Sequence, residues 1–139
     1  MKKNFKILKI NHIAIAVNSN FDAVGIFELL GMTIGHSEFI SSEKVNAVKV
    51  RAKDDTHAIE LLEASDQTST ISKFIKKRGQ GLHHIALEVD NITEAMNYLQ
   101  KNNIKLIYNS PKLGADNKMI TFISPDSTPG ILLELCQSQ

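Results

Sequence analysis

Two hydrophobic periods alternate along this chain, and their order occurs twice. Over residues 10–17, apolar side chains alternate with small or polar ones, and the isoleucine and valine content favours a strand. Residues 19–30 then follow a helical period. Ser19 is placed to cap the N-terminus, Phe21, Val24 and Phe27 fall on one face, and Gly31 supplies a left-handed stop. Strand patterns follow at about 32–40, 45–53 and 57–63. The second half starts the same way, with a strand over 83–89. Asn91 caps the next helix with Glu94 at the capping-box position, and Ile92, Ala95, Met96 and Leu99 make its buried stripe. Asn102-Asn103 end that helix where Gly31 ended the first. Strands near 104–108, 119–123 and 130–136 complete the set. Each half therefore reads βαβββ, which predicts an α+β fold. Between the halves, residues 69–78 carry Ile71, Phe74 and Ile75 at helical spacing, with Gly79 behind them.

The repeat extends to chemistry. Asn11-His12-Ile13-Ala14-Ile15-Ala16-Val17 is matched by His83-His84-Ile85-Ala86-Leu87-Glu88-Val89, and Ala58-Ile59-Glu60-Leu61-Leu62 by Leu132-Leu133-Glu134-Leu135-Cys136. A duplicated half-domain folded about a pseudo-two-fold axis would bring His12, Glu60, His84 and Glu134 together. Two imidazoles and two carboxylates are the makings of a divalent-metal site. A lone histidine on a strand is more often structural, but four residues in duplicated contexts favour metal binding. Glu60 shares its sheet face with Ala58 and Leu62, and Glu134 shares its face with Leu132 and Cys136. A carboxylate on so apolar a face is costly unless paired or metal-bound. Glu63 and Glu88 read as ordinary strand-end or outward residues, and Cys136 as small buried filler.

Composition narrows the class without deciding it. The chain has 139 residues and a net charge of +1, which suits one domain and gives no global pull toward nucleic acid. The single cysteine rules out an intramolecular disulfide and fits a reducing compartment. Lys6, Lys9, Asn11 and His12 interrupt any apolar run near the N-terminus, so no signal-peptide core or membrane span is expected there, and a cytoplasmic protein is. Lys73, Lys76, Lys77 and Arg78 cluster on the helix between the halves. That cluster is either a solvated face or a docking surface for an anionic group such as a phosphate.

The paired His-Ile-Ala strands resemble those of the vicinal-oxygen-chelate superfamily, which includes glyoxalase I. Several blocks are more narrowly similar to the methylmalonyl-CoA epimerase family: Ile59-Glu60-Leu61-Leu62-Glu63, Gly81-Leu82-His83-His84-Ile85-Ala86, Pro111-Lys112-Leu113-Gly114-Ala115 and Leu132-Leu133-Glu134-Leu135-Cys136-Gln137. The resemblance implies a glyoxalase-like fold, in which two paired βαβββ modules form a β-sheet cup around one divalent ion. It implies a single domain over 1–139, with modules at about 8–64 and 82–137 and a linker helix at 69–78. It also implies His12, Glu60, His84 and Glu134 as metal ligands and no further cofactor. His84 is the member of the histidine pair that points inward, and period-2 alternation sends His83 to the opposite face. Such a ligand set tolerates Co²⁺, Ni²⁺, Mn²⁺ or Zn²⁺. The implied reaction is epimerisation of methylmalonyl-CoA or a related 2-substituted acyl-CoA, by C2 proton abstraction through a metal-stabilised enolate, with Glu134 as one acid/base group.

Three positions depart from the epimerase pattern. An ungapped match sets Val48 where some relatives carry a catalytic glutamate, and spacing assigns none of the nearby Glu43, Lys44 and Lys49 to the site. Asp116-Asn117 and Ser124-Pro125-Asp126 replace segments where relatives present two histidines and a lysine. A glyoxalase-type lyase acting on a thiol adduct, or a non-catalytic small-molecule-binding or resistance protein, are the alternative functions. Open sheet edges and apolar loop residues such as Phe39 and Ile40 suggest a homodimer, with no nucleic-acid or membrane partner.

Overall fold

The computed structural model describes residues 2–54 and 56–139, so Met1 of the N-terminal segment lies outside the described residues. In chain order the elements are β1 (Ile7–Val17), α1 (Asn20–Leu29), β2 (Thr33–Ile40), β3 (Val45–Arg51), β4 (Ala58–Ala64), α2 (Thr70–Arg78), β5 (Gly81–Val89), α3 (Ile92–Lys101), β6 (Lys112–Leu113), β7 (Met119–Ile123) and β8 (Leu132–Gln137). Short 3-10 turns lie at Ala115–Asn117 and Pro125–Ser127. The α+β order predicted from the pattern is observed, except that the strand expected over 104–108 is absent and β6 lies at Lys112–Leu113. Residues 12–83 make one compact unit, and residues 1–11 with 84–139 make a second.

In the unit of residues 12–83 the strands run in the order β2-β3-β4-β1. β1 pairs parallel with β4, and β4 antiparallel with β3. Alternation divides this sheet into two faces. Val17, Val48, Val50 and Leu61 are buried on one face with Ile15 and Ile59, beneath Ala23, Val24 and Phe27 of α1. His12, Ala14, Ala16, Ala58, Glu60 and Leu62 have the opposite parity. Ser19 caps α1 by accepting a hydrogen bond from Asp22 N at 3.2 Å, and Gly31 takes φ 81°, a conformation that costs a side-chain-bearing residue.

Two expectations fail in this unit. Phe21 is 88 % exposed and does not share the buried face of Val24 and Phe27. Steps of three residues drift about 60° around a helix, so Phe21 and Phe27 end about 120° apart. Phe39 and Ile40 belong to β2 and not to a loop, and Ile40 is buried opposite Val45.

The second unit repeats the plan, with strand order β5-β8-β7-β6 and β5 parallel to β8. Its core gathers Val89, Ile123 and Leu135 under Ile92, Ala95 and Met96 of α3. Asn91 caps α3 by accepting from Glu94 N at 3.0 Å, and Asn103 ends it at φ 62°. The first part of β1 and the residue before it belong here too: Lys6 N donates to Asp90 Oδ1 at 2.7 Å, and Asn11 Nδ2 to Glu88 Oε1 at 2.8 Å. Glu88 is thus outward but engaged. The strand expected over 104–108 is reduced to one bridge, Leu106 with Ile123, held by Ile107 N to Phe122 O at 2.9 Å and Ser124 N to Lys105 O at 2.9 Å. Only Lys112–Leu113 pair regularly with β7, because Pro111 supplies no donor to extend the ladder. Among the described residues no helix is long and apolar enough to cross a membrane.

Candidate functional site

Each unit builds one buried histidine–glutamate pair by the same register. In residues 12–83, β1 and β4 run parallel with His12 opposite Ala58 and Ala14 opposite Glu60. A two-residue diagonal then brings His12 Nε2 to 3.6 Å from Glu60 Oε1. In the other unit, β5 and β8 run parallel with His84 opposite Leu132 and Ala86 opposite Glu134. The same diagonal leaves His84 Nε2 3.2 Å from Glu134 Oε1. Alanine stands directly beside each glutamate, at Ala14 and Ala86, and neither has any exposed surface.

All four side chains are buried: His12 is 4 % exposed, Glu60 4 %, His84 3 % and Glu134 5 %. Burying an ionised carboxylate is expensive without a compensating charge. The spacing within each pair fits a shared ion. With metal–ligand bonds of about 2.0–2.2 Å, neighbouring ligand atoms sit about 2.8–3.1 Å apart in octahedral and about 3.3–3.6 Å apart in tetrahedral geometry. The two pairs, at 3.2 and 3.6 Å, lie close to those edge lengths without adjustment of the backbone. Imidazole nitrogen with carboxylate oxygen is also the donor chemistry of first-row divalent ions. His12, His84 and Glu134 are buried donors of the kinds that hold such an ion.

The neighbours of the two pairs differ. Across β4, the antiparallel partner of Glu60 is Lys49 on β3, whose Nζ lies 3.9 Å from Glu60 Oε2. Across β8, the partner of Glu134 is Phe122 on β7. Its ring meets His84 edge to face, with centroids 5.4 Å apart. Phe122 also packs with Ile120, Cys136, Leu132 and Tyr108, so Glu134 lies among apolar groups. Gly35 lies where β2 loses register against β3, and a Cβ there would come within 3.0 Å of the Lys49 carbonyl oxygen. The bulge and the lysine strand are fitted to each other.

The remaining sequence candidates fall elsewhere. Val48 is in the core beneath α1, on the face opposite Glu60, so it takes no part in proton transfer. Glu43 and Lys44 form the turn before β3, where the Glu43 carbonyl accepts from Ser69 Oγ and Lys44 Nζ donates to Thr68 Oγ1. Glu63 accepts from Asn20 N at 2.7 Å and so ties β4 to the start of α1. His83 turns away from the parity of His84 and lies edge to face on Phe74 of α2, at 5.0 Å. Lys76, Lys77 and Arg78 occupy the last turn of α2, where positive charge complements the helix dipole. The residues that spacing missed are Lys49 and Phe122. Parity alone sets Lys49 opposite Val48 and Val50, but its partnership with Glu60 needs the β3–β4 register, which no local pattern reports.

Residues 11–122 match the family model described as glyoxalase/bleomycin resistance protein/dioxygenase superfamily. The chain belongs to that superfamily. Its α+β fold is accordingly the glyoxalase-like one. Over 130 residues it is 38 % identical to the uncharacterized protein YqjC of Bacillus subtilis (strain 168), covering 93 % of this chain and 91 % of the relative. It is 34 % identical to the mitochondrial methylmalonyl-CoA epimerase of Dictyostelium discoideum, covering 91 % and 76 %. The crystal structure of methylmalonyl-CoA epimerase from Mycobacterium tuberculosis superposes with a TM-score of 0.91 at 27 % identity, covering 96 % of this chain and 89 % of that one. Within the superfamily, then, this protein is a relative of the methylmalonyl-CoA epimerases.

Proposed function

We propose that this protein is an epimerase of methylmalonyl-CoA or a closely related 2-substituted acyl-CoA, acting as a single domain with one divalent ion. The observation that carries this reading is the duplicated buried His–Glu pair, in a chain that aligns over nine-tenths of its length with a named epimerase. His12, Glu60, His84 and Glu134 would hold the ion. When bound, it supplies electrostatic stabilisation for negative charge on the substrate's oxygens, without which the C2 hydrogen of a thioester is too weakly acidic for a carboxylate to remove.

The chain's own groups do the rest. Glu134 accepts the C2 proton, and its apolar surroundings keep water from competing for that proton. Epimerisation needs a proton delivered to the opposite face, so a second carrier or a mobile one is required. Lys73, Lys76, Lys77 and Arg78 offer positive charge for the phosphates of CoA. The homodimer expected from the sequence belongs to the same proposal, and sedimentation velocity tests it.

The direct test is exchange in deuterated water. Cobalt-loaded protein is incubated with methylmalonyl-CoA, and deuterium at C2 is followed by mass spectrometry together with loss of stereochemical purity. Catalysed exchange with racemisation is expected. Loaded protein that exchanges nothing would remove the epimerase reading and leave the lyase or a ligand-binding role.

A further inference from the structure

We infer that α1 is the surface through which two copies of this chain associate, the helices crossing on a two-fold axis at Gly25; this rests on the homodimer reading above. The two units provide an internal control. α1 and α3 recur at the same sequence spacing as His12 and His84, and each covers its own half-sheet. Phe21, Gly25 and Leu29 are spaced by four and form one outward row of α1. Their counterparts on α3 are Thr93, Asn97 and Lys101, all exposed, as suits a solvated helix face. In α1 the same row is apolar. Phe21 and Leu29 are nearly nine-tenths exposed, and Ile26 and the C-cap residue Leu30 beside them are more than half exposed. A helix that is apolar all round is one that is covered all round. The same place in the fold therefore presents a water face in one unit and a contact face in the other.

Gly25 adds a second, independent observation. Glycine is a poor helix former away from helix ends. Gly25 stands in mid-helix, has no left-handed φ to require it, and a Cβ there would meet no neighbouring side chain or strand within 4 Å. Packing among the described residues gives no reason for the missing side chain, whereas close approach of a backbone from outside does. With the two-fold axis at Gly25 the rows interdigitate, and Phe21 of each copy packs on Leu29 of the other. The area agrees. A fully exposed side chain of this size presents about 150–200 Å², so Phe21, Ile26, Leu29 and Leu30 together leave about 500 Å² in water. A homodimer interface of about 800 Å² per partner, about 65 % of it apolar, needs that much. Charge speaks against a lipid surface as the occupant. Asp22 and Glu28 are the charged residues of α1, whereas helices that lie on membranes carry lysine or arginine. An apolar row with no pattern of charge is matched by its own copy and selects no different partner.

The test is sedimentation velocity of the full chain over about a hundred-fold range of concentration, since a dimer's population follows mass action. The wild type should sediment as a dimer. Leu29→Glu should weaken association about 100-fold or more, as for a central apolar contact, while its circular dichroism stays that of the wild type. Phe21→Ser, a milder change on the same row, covers the case in which the acidic variant does not fold. Lys101→Glu, at the matching place on α3, should leave the dimer intact. Gly25→Leu separates a close crossing from a loosely adhesive patch. Leucine favours the helix and adds apolar surface, so it would strengthen such a patch, but it should weaken a close crossing about 10–100-fold. Leu29→Glu and Phe21→Ser proteins that stay dimeric would overturn the assignment to α1. So would a Gly25→Leu dimer as tight as the wild type, or a Lys101→Glu protein that comes apart. A wild type that is monomeric at every concentration would overturn the homodimer reading itself.

Discussion

Glu60 and Glu134 stand in the same register of two similar half-sheets, yet their antiparallel partners differ in character. Lys49 is the antiparallel partner beside Glu60, whereas the apolar Phe122 takes that place beside Glu134. The helices differ as well. α3 buries Ile92, Ala95 and Met96 and shows Thr93, Asn97 and Gln100 to solvent. α1 is apolar nearly all round, with Phe21 88 % and Leu29 86 % exposed. What persists between the halves is the backbone pairing that aims a histidine and a glutamate at one another. What varies is the side-chain setting.

The sharpest way to break this comparison is to remove charge from one glutamate at a time. Glu134→Gln should lower kcat for C2 exchange by about 10²–10⁴-fold while most of the metal is retained, because the amide still offers an oxygen but no base. Glu60→Gln should cost far less in kcat. Metal analysis alongside initial-rate exchange reads both, and equal losses for the two variants would show that neither half specialises in proton transfer.

The two cores should respond alike. Leu61 is 1 % exposed and Leu135 2 %, and each lies under its helix. Leu61→Ala and Leu135→Ala should each cost about 2–5 kcal/mol in urea denaturation. A large asymmetry would mean that one half holds its shape without its core leucine.

A finer comparison is at the helix caps. Ser19→Ala and Asn91→Ala each delete an acceptor for a first-turn amide, and each should cost about 1 kcal/mol. Thermal melts of the two single variants and the double variant would show whether the effects add, as expected for sites in separate units.

The smallest effect belongs to the turn before α2. The Thr68 hydroxyl, and then its backbone amide, hydrogen-bond Asp66 and hold its carboxyl below the usual aspartate range. A carboxyl whose folded pKa is lowered stabilises the native state above its unfolded pKa, and that contribution fades as pH falls through the folded value. Asp66→Asn should therefore melt slightly below the wild type at pH 6, with the gap closing below about pH 4.

Much of this protein is written locally. Capping residues at Ser19 and Asn91, left-handed stops at Gly31 and Asn103, and β-branched alternation depend on interactions a few residues long, so the elements could be read in order. The duplication made the four candidate donors visible, because His12 and His84 recur in matching contexts, as do Glu60 and Glu134. Other features are set by contacts distant in sequence. Phe21 depends on which face of α1 meets the sheet, and the segment 104–108 on how much of it can pair with β7. The meeting of Lys49 with Glu60 and of Phe122 with Glu134 depends on strand register, which closes only when two segments pack. Side-chain type and period are properties of the chain. Partnership across strands is a property of the fold, since it is chosen by the packing free energy of the whole sheet and not by any one residue's preference.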